Sequence, residues 1–400
     1  MFKRFFLCDC LVMGWFYVKI ETEEDFMSIE IREVLNKKDL KKWVDFPNKM
    51  YKKVPEFVPF LFADEVSTFT KGKNPALEFC ETRQFSAFKD GKMVGRIAGI
   101  INHAANKKWK TNYIRFSRFD FIDDFEVSKA LFDEVVKWGK ERGYTGIIGP
   151  IGFTDMDHEG MLIEGYEEFN MSMTFYNFPY YLEHMNKLKL EKEIDWIEYQ
   201  VFVPEKPNEK LDKLAKFIEK RNGYQLVTYT DRKVLAADAF EAFKVIDEAF
   251  AVLYGSVPLT DAVINQVLAD YIPLIHLDYI CAVKDKEGKI AGFAILAPSL
   301  AKAQKKSNGR LFPLGIFRML KALKCKNDTL EMWFIAVKPE HQKKGLPAIL
   351  VNQLIRTCIK NGVKICESGP ELEINEGVQA LWKDFEVRQH KRRRCFKKAI

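Results

Sequence analysis

Residues Leu330 to Gly362 read LEMWFIAVKPEHQKKGLPAILVNQLIRTCIKNG. Met332–Val337 is an unbroken apolar run, rich in aromatic and β-branched residues, which predicts a buried strand. Pro339 ends it, because proline cannot donate to a sheet ladder. After the polar loop Glu340–Gly345, apolar residues return at helical spacing: Ile349, Leu350, Leu354, Ile355, Cys358 and Ile359. Pro347 suits the first helical turn, and Asn361-Gly362 is a helix stop. A strand that feeds a glycine-containing loop into a helix N-terminus presents unpaired amides to an anion, and the helix dipole adds about 0.3–1 kcal/mol. Lys343 and Lys344 add charge to the same loop. The same residues also make an ordinary strand-to-helix turn with solvated lysines, so the stretch alone leaves both roles open.

Outward from here the chain repeats itself. Tyr279–Val283 turns through Lys284–Lys289 into Ile290-Ala-Gly292, and Lys289-Ile-Ala-Gly292 has a counterpart in Arg96-Ile-Ala-Gly99. The latter follows the hairpin turn Lys89-Asp90-Gly91-Lys92. The helix ending Lys360-Asn361-Gly362 is matched by one ending Glu141-Arg142-Gly143, and the next strands close with Gly149-Pro150 and Gly369-Pro370. An internal duplication predicts two similar units. Gly99 to Gly149 spans 50 positions and Gly292 to Gly369 spans 77, so the second copy carries 27 more. They fall in 298–328, a basic, partly amphipathic segment. Covering a core is the favoured role there, ahead of a lid over an acyl chain or a membrane-facing helix.

The run Val337-Lys338-Pro339-Glu340-His341-Gln342-Lys343-Lys344-Gly345-Leu346 resembles the acyl-CoA loop of the GNAT (general N-acetyltransferase) superfamily. That pattern is a V-x-P strand end followed by Q/R-x-x-G-x-G/A. Gln342 and Gly345 match it, whereas Pro347 replaces a small residue and removes one amide donor. The resemblance implies an α/β fold with a mixed sheet: two GNAT-like domains in tandem, each a twisted sheet flanked by helices. It implies acyl-CoA as co-substrate, without a metal, held by Ile335, Val337, Gln342, Lys343, Lys344, Gly345 and Leu346. Asn375–Phe385 resembles the family's N-x-x-A-x-x-x-Y-x-x-x-G-F helix, with Asn375 at the CoA-contacting asparagine and Trp382 in place of the tyrosine acid. Indole does not titrate usefully, but a thiolate with a reference pKa of about 8.5 can leave unprotonated. Glu331, six positions before Val337, matches the general-base glutamate of GNAT histone acetyltransferases. Its alternative is a charged residue at a strand's exposed start. Gly149–Gly165 and Tyr254-Gly-Ser-Val-Pro258 resemble a widespread bacterial group of tandem GNAT-like proteins of unassigned substrate.

In the first copy the loop position holds Ile122-Asp-Asp-Phe-Glu126. Two unit charges about 8 Å apart interact by roughly 2 kcal/mol at an effective dielectric near 20, so these carboxylates cancel the dipole's attraction for phosphate. The first copy is therefore expected to cap the second, bringing Asp155, Asp157, Tyr176 and Tyr180 near Glu331 for a cationic or amphiphilic amine of unknown identity. Asp155-Met-Asp-His-Glu159 lacks a calcium loop's glycine and spacing, so no metal site is expected. The basic run His390–Arg394 is expected in the last strands of the sheet, not on DNA.

Two other readings are carried: a peptidyltransferase-like enzyme using aminoacyl-tRNA, and a non-catalytic module that binds CoA or a metabolite. Across 400 residues, 63 basic side chains oppose 56 acidic ones, a net +7 that permits an anionic ligand or membrane surface without demanding nucleic acid. Eight cysteines without a C-x-x-C pair indicate neither zinc nor a disulfide framework and fit a reducing cytoplasm. The expected layout is an extension at 1–26 from a start assigned too far upstream, since its apolar stretch falls short of the roughly 20 residues of a span. A degenerate domain follows at 27–205, a linker helix and strand at 206–233, and the acyl-CoA domain at 234–400.

Overall fold

The computed structural model describes residues 29–272, 275–324 and 327–400; the extension expected at 1–26 lies outside them. The first half runs β1 (Glu30–Glu33), α1 (Lys37–Met50), α2 (Phe62–Thr68), β2 (Cys80–Lys89), β3 (Lys92–Asn102), α3 (His103–Trp109), β4 (Tyr113–Phe121), α4 (Phe125–Glu141), β5 (Gly146–Gly149), β6 (Met161–Glu164), α5 (Tyr180–Lys187) and β7 (Glu191–Phe202). Then α6 (Glu209–Asn222) leads into β8 (Gln225–Thr228), α7 (Arg232–Phe250), α8 (Asp261–Tyr271), β9 (Ile280–Lys284) and β10 (Ile290–Pro298). The insertion holds α9 (Ala301–Lys306) and α10 (Gly315–Lys324). The chain closes with β11 (Thr329–Val337), α11 (Leu346–Asn361), β12 (Ile365–Ser368), β13 (Glu371–Leu372), α12 (Glu376–Gln379) and β14 (Val387–Ala399).

The expected mixed sheet flanked by helices is present, and the duplication is visible in its pairings. In the order β1-β2-β3-β4-β5 the first three pairs are antiparallel and the last is parallel; β8-β9-β10-β11-β12 repeats this. The halves do not close on themselves, however. β14, the last strand of the chain, pairs with β5 of the first half, while β7 of the first half pairs with β12 of the second. β7 and β14 pair with each other between them, so one sheet runs through the molecule.

The repeat register differs from that inferred through Gly99. In the sheet Gly95 faces Phe121 and Gly292 faces Val337, each at the end of its half's central strand. A Cβ on Gly95 would come within 2.7 Å of Leu131, and one on Gly292 within 2.8 Å of the Ala336 carbonyl and 2.9 Å of Leu346. Both glycines thus let the helix after the central strand lie close on the sheet, and Gly95 is the counterpart of Gly292. α4 packs there through Val127, Leu131 and Val135, and α11 through Leu346, Ile349, Leu350 and Leu354. Each such buried side chain is worth about 1.5–3 kcal/mol.

The basic run near the C-terminus lies on the single long strand β14, not on two strands, and its charges meet carboxylates. Arg393 pairs with Glu198, both fully buried; Arg394 pairs with Asp195 at 2.7 Å, and Arg392 reaches Asp195 and Glu373 at 3.2 Å.

Candidate active site

β11 pairs with β12 only from Thr329 to Met332, and Trp333–Val337 runs on without it. A β-bulge against β10 falls at this point, between the pairs Ile295–Phe334 and Leu296–Met332. β13 leaves the fork for β7. Glu331 sits where the strands begin to part, opposite Glu367 on β12. It is 1% exposed. The side chain is therefore enclosed, not solvated at a strand's start. Ser172 Oγ donates to its Oε2 at 2.6 Å, Ser299 Oγ to Oε1 at 2.8 Å, and the Ser172 amide to Oε1 at 3.3 Å. Burial raises its carboxyl above the ordinary range, and the serine hydrogen bonds act the other way without cancelling it. Ser172 belongs to the loop between β6 and α5, so the first half supplies part of this pocket.

At the other end of β11, Lys338–Gly345 leads into α11. Lys343 and Gly345 take left-handed conformations, φ 61° and 81°. No turn or cap hydrogen bond among the described residues uses the amides of Lys343, Lys344, Gly345 or Leu346. Alternating helical hands in successive residues make an amide concavity suited to anions. No acidic residue occupies the first turn of α11, and Lys343 and Lys344 are exposed beside it. Gln342 Nε2 returns to the Val337 carbonyl at 3.3 Å, holding the loop against the strand end. These residues fit a pyrophosphate; Pro347 withholds one donor, and Ile218 of α6 packs on Gly345. Ile335 faces the α11 side of the sheet with Val337 and Leu346.

The equivalent terminus in the first half is closed. Asp124 caps α4 by accepting from the Glu126 amide at 3.1 Å, and Lys89 pairs with Asp124 at 2.8 Å. Here the protein's own carboxylate takes the place a phosphate would need.

Beyond the fork, Glu371 accepts from Trp382 Nε1 at 3.0 Å, and burial pushes its carboxyl up to about 7. Glu371 is absent from the candidates drawn from sequence. The available signal was its position, just past Gly369-Pro370 at the end of a central strand. Asn375 caps α12 by accepting from the Val378 amide at 3.4 Å.

Asp155, Asp157, Tyr176 and Tyr180 are engaged elsewhere, and Ser172 is the residue of this region that meets Glu331. Asp157 pairs with Arg118 at 2.7 Å beside Glu65; burial acts to raise its carboxyl, but Arg118 overrides that and holds it at about 2. Asp155 accepts from the Val257 amide at 3.4 Å, and burial raises it to about 6. Tyr180 donates to the Phe121 carbonyl, and Tyr176 lines a small first-half pocket with Tyr51, Phe57 and Phe175. A second, apolar pocket lies between the sheet and α7–α8, floored by Ile280, Phe293 and Ile295. Ile295 is two positions from Ala297, the partner of Glu331, so cavity and carboxylate share one sheet face.

Residues 255–386 match the model of the acetyltransferase (GNAT) family. Over 378 residues the chain is 25% identical to Protein YghO of Escherichia coli (strain K12), covering 92% of this chain and 95% of that protein. Over 379 residues it is 21% identical to the bacterial ceramide synthase of Caulobacter vibrioides (strain NA1000 / CB15N), covering 90% and 95%. Among solved structures, a tandem GNAT protein from the clavulanic acid biosynthesis pathway shares the fold with a TM-score of 0.55 at 10% identity, covering 93% of this chain and 98% of that one.

Proposed function

We propose that this chain, whose residues 255–386 match the GNAT family model and whose fold is shared with a tandem GNAT protein, is an N-acyltransferase. In this proposal the second half takes acyl-CoA as donor, and the acceptor is a long-chain amphiphilic amine. The carrying observation is the pair formed by the open amide loop at Lys343–Leu346 and the enclosed carboxylate of Glu331, at the two ends of one splayed strand. The loop and its lysines suit the CoA pyrophosphate. The fork between β11 and β12 suits the thioester arm. Glu331 receives the proton as the amine nitrogen attacks the thioester carbonyl; the C–N bond forms, the C–S bond breaks, and CoA leaves as thiol or thiolate. The serines hold the carboxylate in place. The amine class is supported by the likeness to a protein named as a bacterial ceramide synthase and by the apolar residues Ile280, Phe293 and Ile295 on the Glu331 face of the sheet. We assign the reaction to the cytoplasm, the reducing compartment that eight cysteines without a C-x-x-C pair fit.

The test is release of CoA thiol and formation of the amide when the protein meets acyl-CoA and a sphingoid base. Glu331→Gln should lower turnover about 10²–10⁴-fold while CoA binding persists. Equal turnover in variant and wild type would remove Glu331 from the reaction, and CoA binding without turnover on any amine would favour the non-catalytic module.

A further inference from the structure

We propose that the insertion between β10 and β11 is a docking surface for the anionic face of a lipid bilayer. From Pro298 to Asn327 the chain carries eight Lys or Arg residues and no Asp or Glu. Such a one-signed stretch is drawn to a negatively charged surface. The structure gives that charge a rigid and amphipathic frame. Met319 packs on Leu300 and Ala303, with Leu323 against the same cluster, so one side of α10 is anchored. Lys305 Nζ donates to the carbonyls of Val54 and Phe57 at 2.8 Å, Arg310 pairs with Asp45 at 2.9 Å, and the Phe62 amide donates to the Gly309 carbonyl at 2.8 Å. The insertion is thus clasped to the first half. The expectation that it covers a core is met only on this inner side.

The outer side is apolar and exposed. Phe312 is 79% exposed, Leu314 58%, Phe317 66% and Leu320 41%. Phe317, Leu320, Lys321 and Lys324 follow the i, i+3, i+4, i+7 spacing of one helical stripe. Neither Lys321 nor Lys324 has an ion-pair partner among the described residues. Aromatic and leucine tips beside unpaired lysines are what an interfacial helix inserts at the headgroup boundary. A protein partner is disfavoured by the same composition, because lysine is depleted at protein interfaces. The root of the insertion is also informative: Ser299, just before α9, donates to Glu331. A bilayer held on α10 would therefore lie on a segment continuous with the candidate active site.

The experiment is co-sedimentation of the full chain with phosphatidylcholine vesicles, with and without phosphatidylglycerol. The wild type should sediment with the anionic vesicles and remain in solution with the zwitterionic ones. Lys321→Gln with Lys324→Gln should weaken the anionic partition roughly 25-fold, at about fivefold for each basic residue near the surface. Phe312→Ser with Phe317→Ser should weaken it too, with thermal unfolding unchanged because both rings are already in water. Failure of the wild type to sediment with anionic vesicles would overturn the proposal, as would sedimentation that both double variants leave intact. A dimer in sedimentation velocity that the phenylalanine variant dissociates would also overturn it, by giving the face to a second copy of the chain.

Discussion

At the scale of single residues, two carboxyls near the fork differ from ordinary surface acids for the same reason, loss of water. Glu331 is enclosed by two serines and Glu371 lies against Trp382. A base whose carboxyl is raised loses activity sooner as pH falls, so the acidic limb of the rate profile should lie above the usual carboxylate range. Glu371 also makes a stability prediction. Its folded value is about 7 against an ordinary 4.5, so between those values the folded chain holds a proton that the unfolded chain has released. Stability contributed by the protonated form is complete below about 4.5 and is lost as pH rises towards 7. Glu371→Gln should flatten that part of the curve of unfolding midpoint against pH; an unchanged slope would show that the carboxyl titrates normally. Glu331 entered as a candidate through the family resemblance, six positions before Val337. Glu371 carried one signal, its place just past Gly369-Pro370, whereas Ser172 carried none, because nothing in a loop's composition says which strand it will meet.

Among the elements, the two helices that follow the central strands show how one architecture gives opposite chemistry. α11 opens on a left-handed glycine with no side-chain cap, and α4 opens on the Asp124 carboxylate. The sequence already carried this contrast, since a Gly-Lys loop and an Asp-Asp loop differ in charge as well as in shape. What it hid was the mechanism: Asp124 does more than repel phosphate, because it occupies the amides itself. Asp124→Ala should therefore lower stability by about 0.5–2 kcal/mol, as for other lost N-caps. Thermal or denaturant unfolding would measure this, and a loss below that range would mean the cap is idle. Asp155, Asp157, Tyr176 and Tyr180 illustrate the reverse case. Their composition suggested an amine pocket, yet their side chains serve partners such as Arg118, the Val257 amide and the Phe121 carbonyl.

For the whole molecule, the duplicated sheet was legible because hydrophobic periodicity, turns and helix stops recur in order. The exchange of β7 and β14 between the halves was not, since alternation along a strand reports which faces are buried and not which strand lies alongside. Its trace in the sequence was the basic run on β14, whose acidic complement sits nearly two hundred residues earlier at Asp195 and Glu198. The exchange makes the halves one body while leaving their helix termini unlike, so the proposed function requires one acyl-CoA site per chain, on the second half. The most direct measurement is calorimetric titration of the full chain with CoA. One CoA should bind per chain, with binding lost in Lys343→Glu/Lys344→Glu at an unchanged unfolding midpoint. Two CoA per chain, or binding that this variant leaves undiminished, would contradict it.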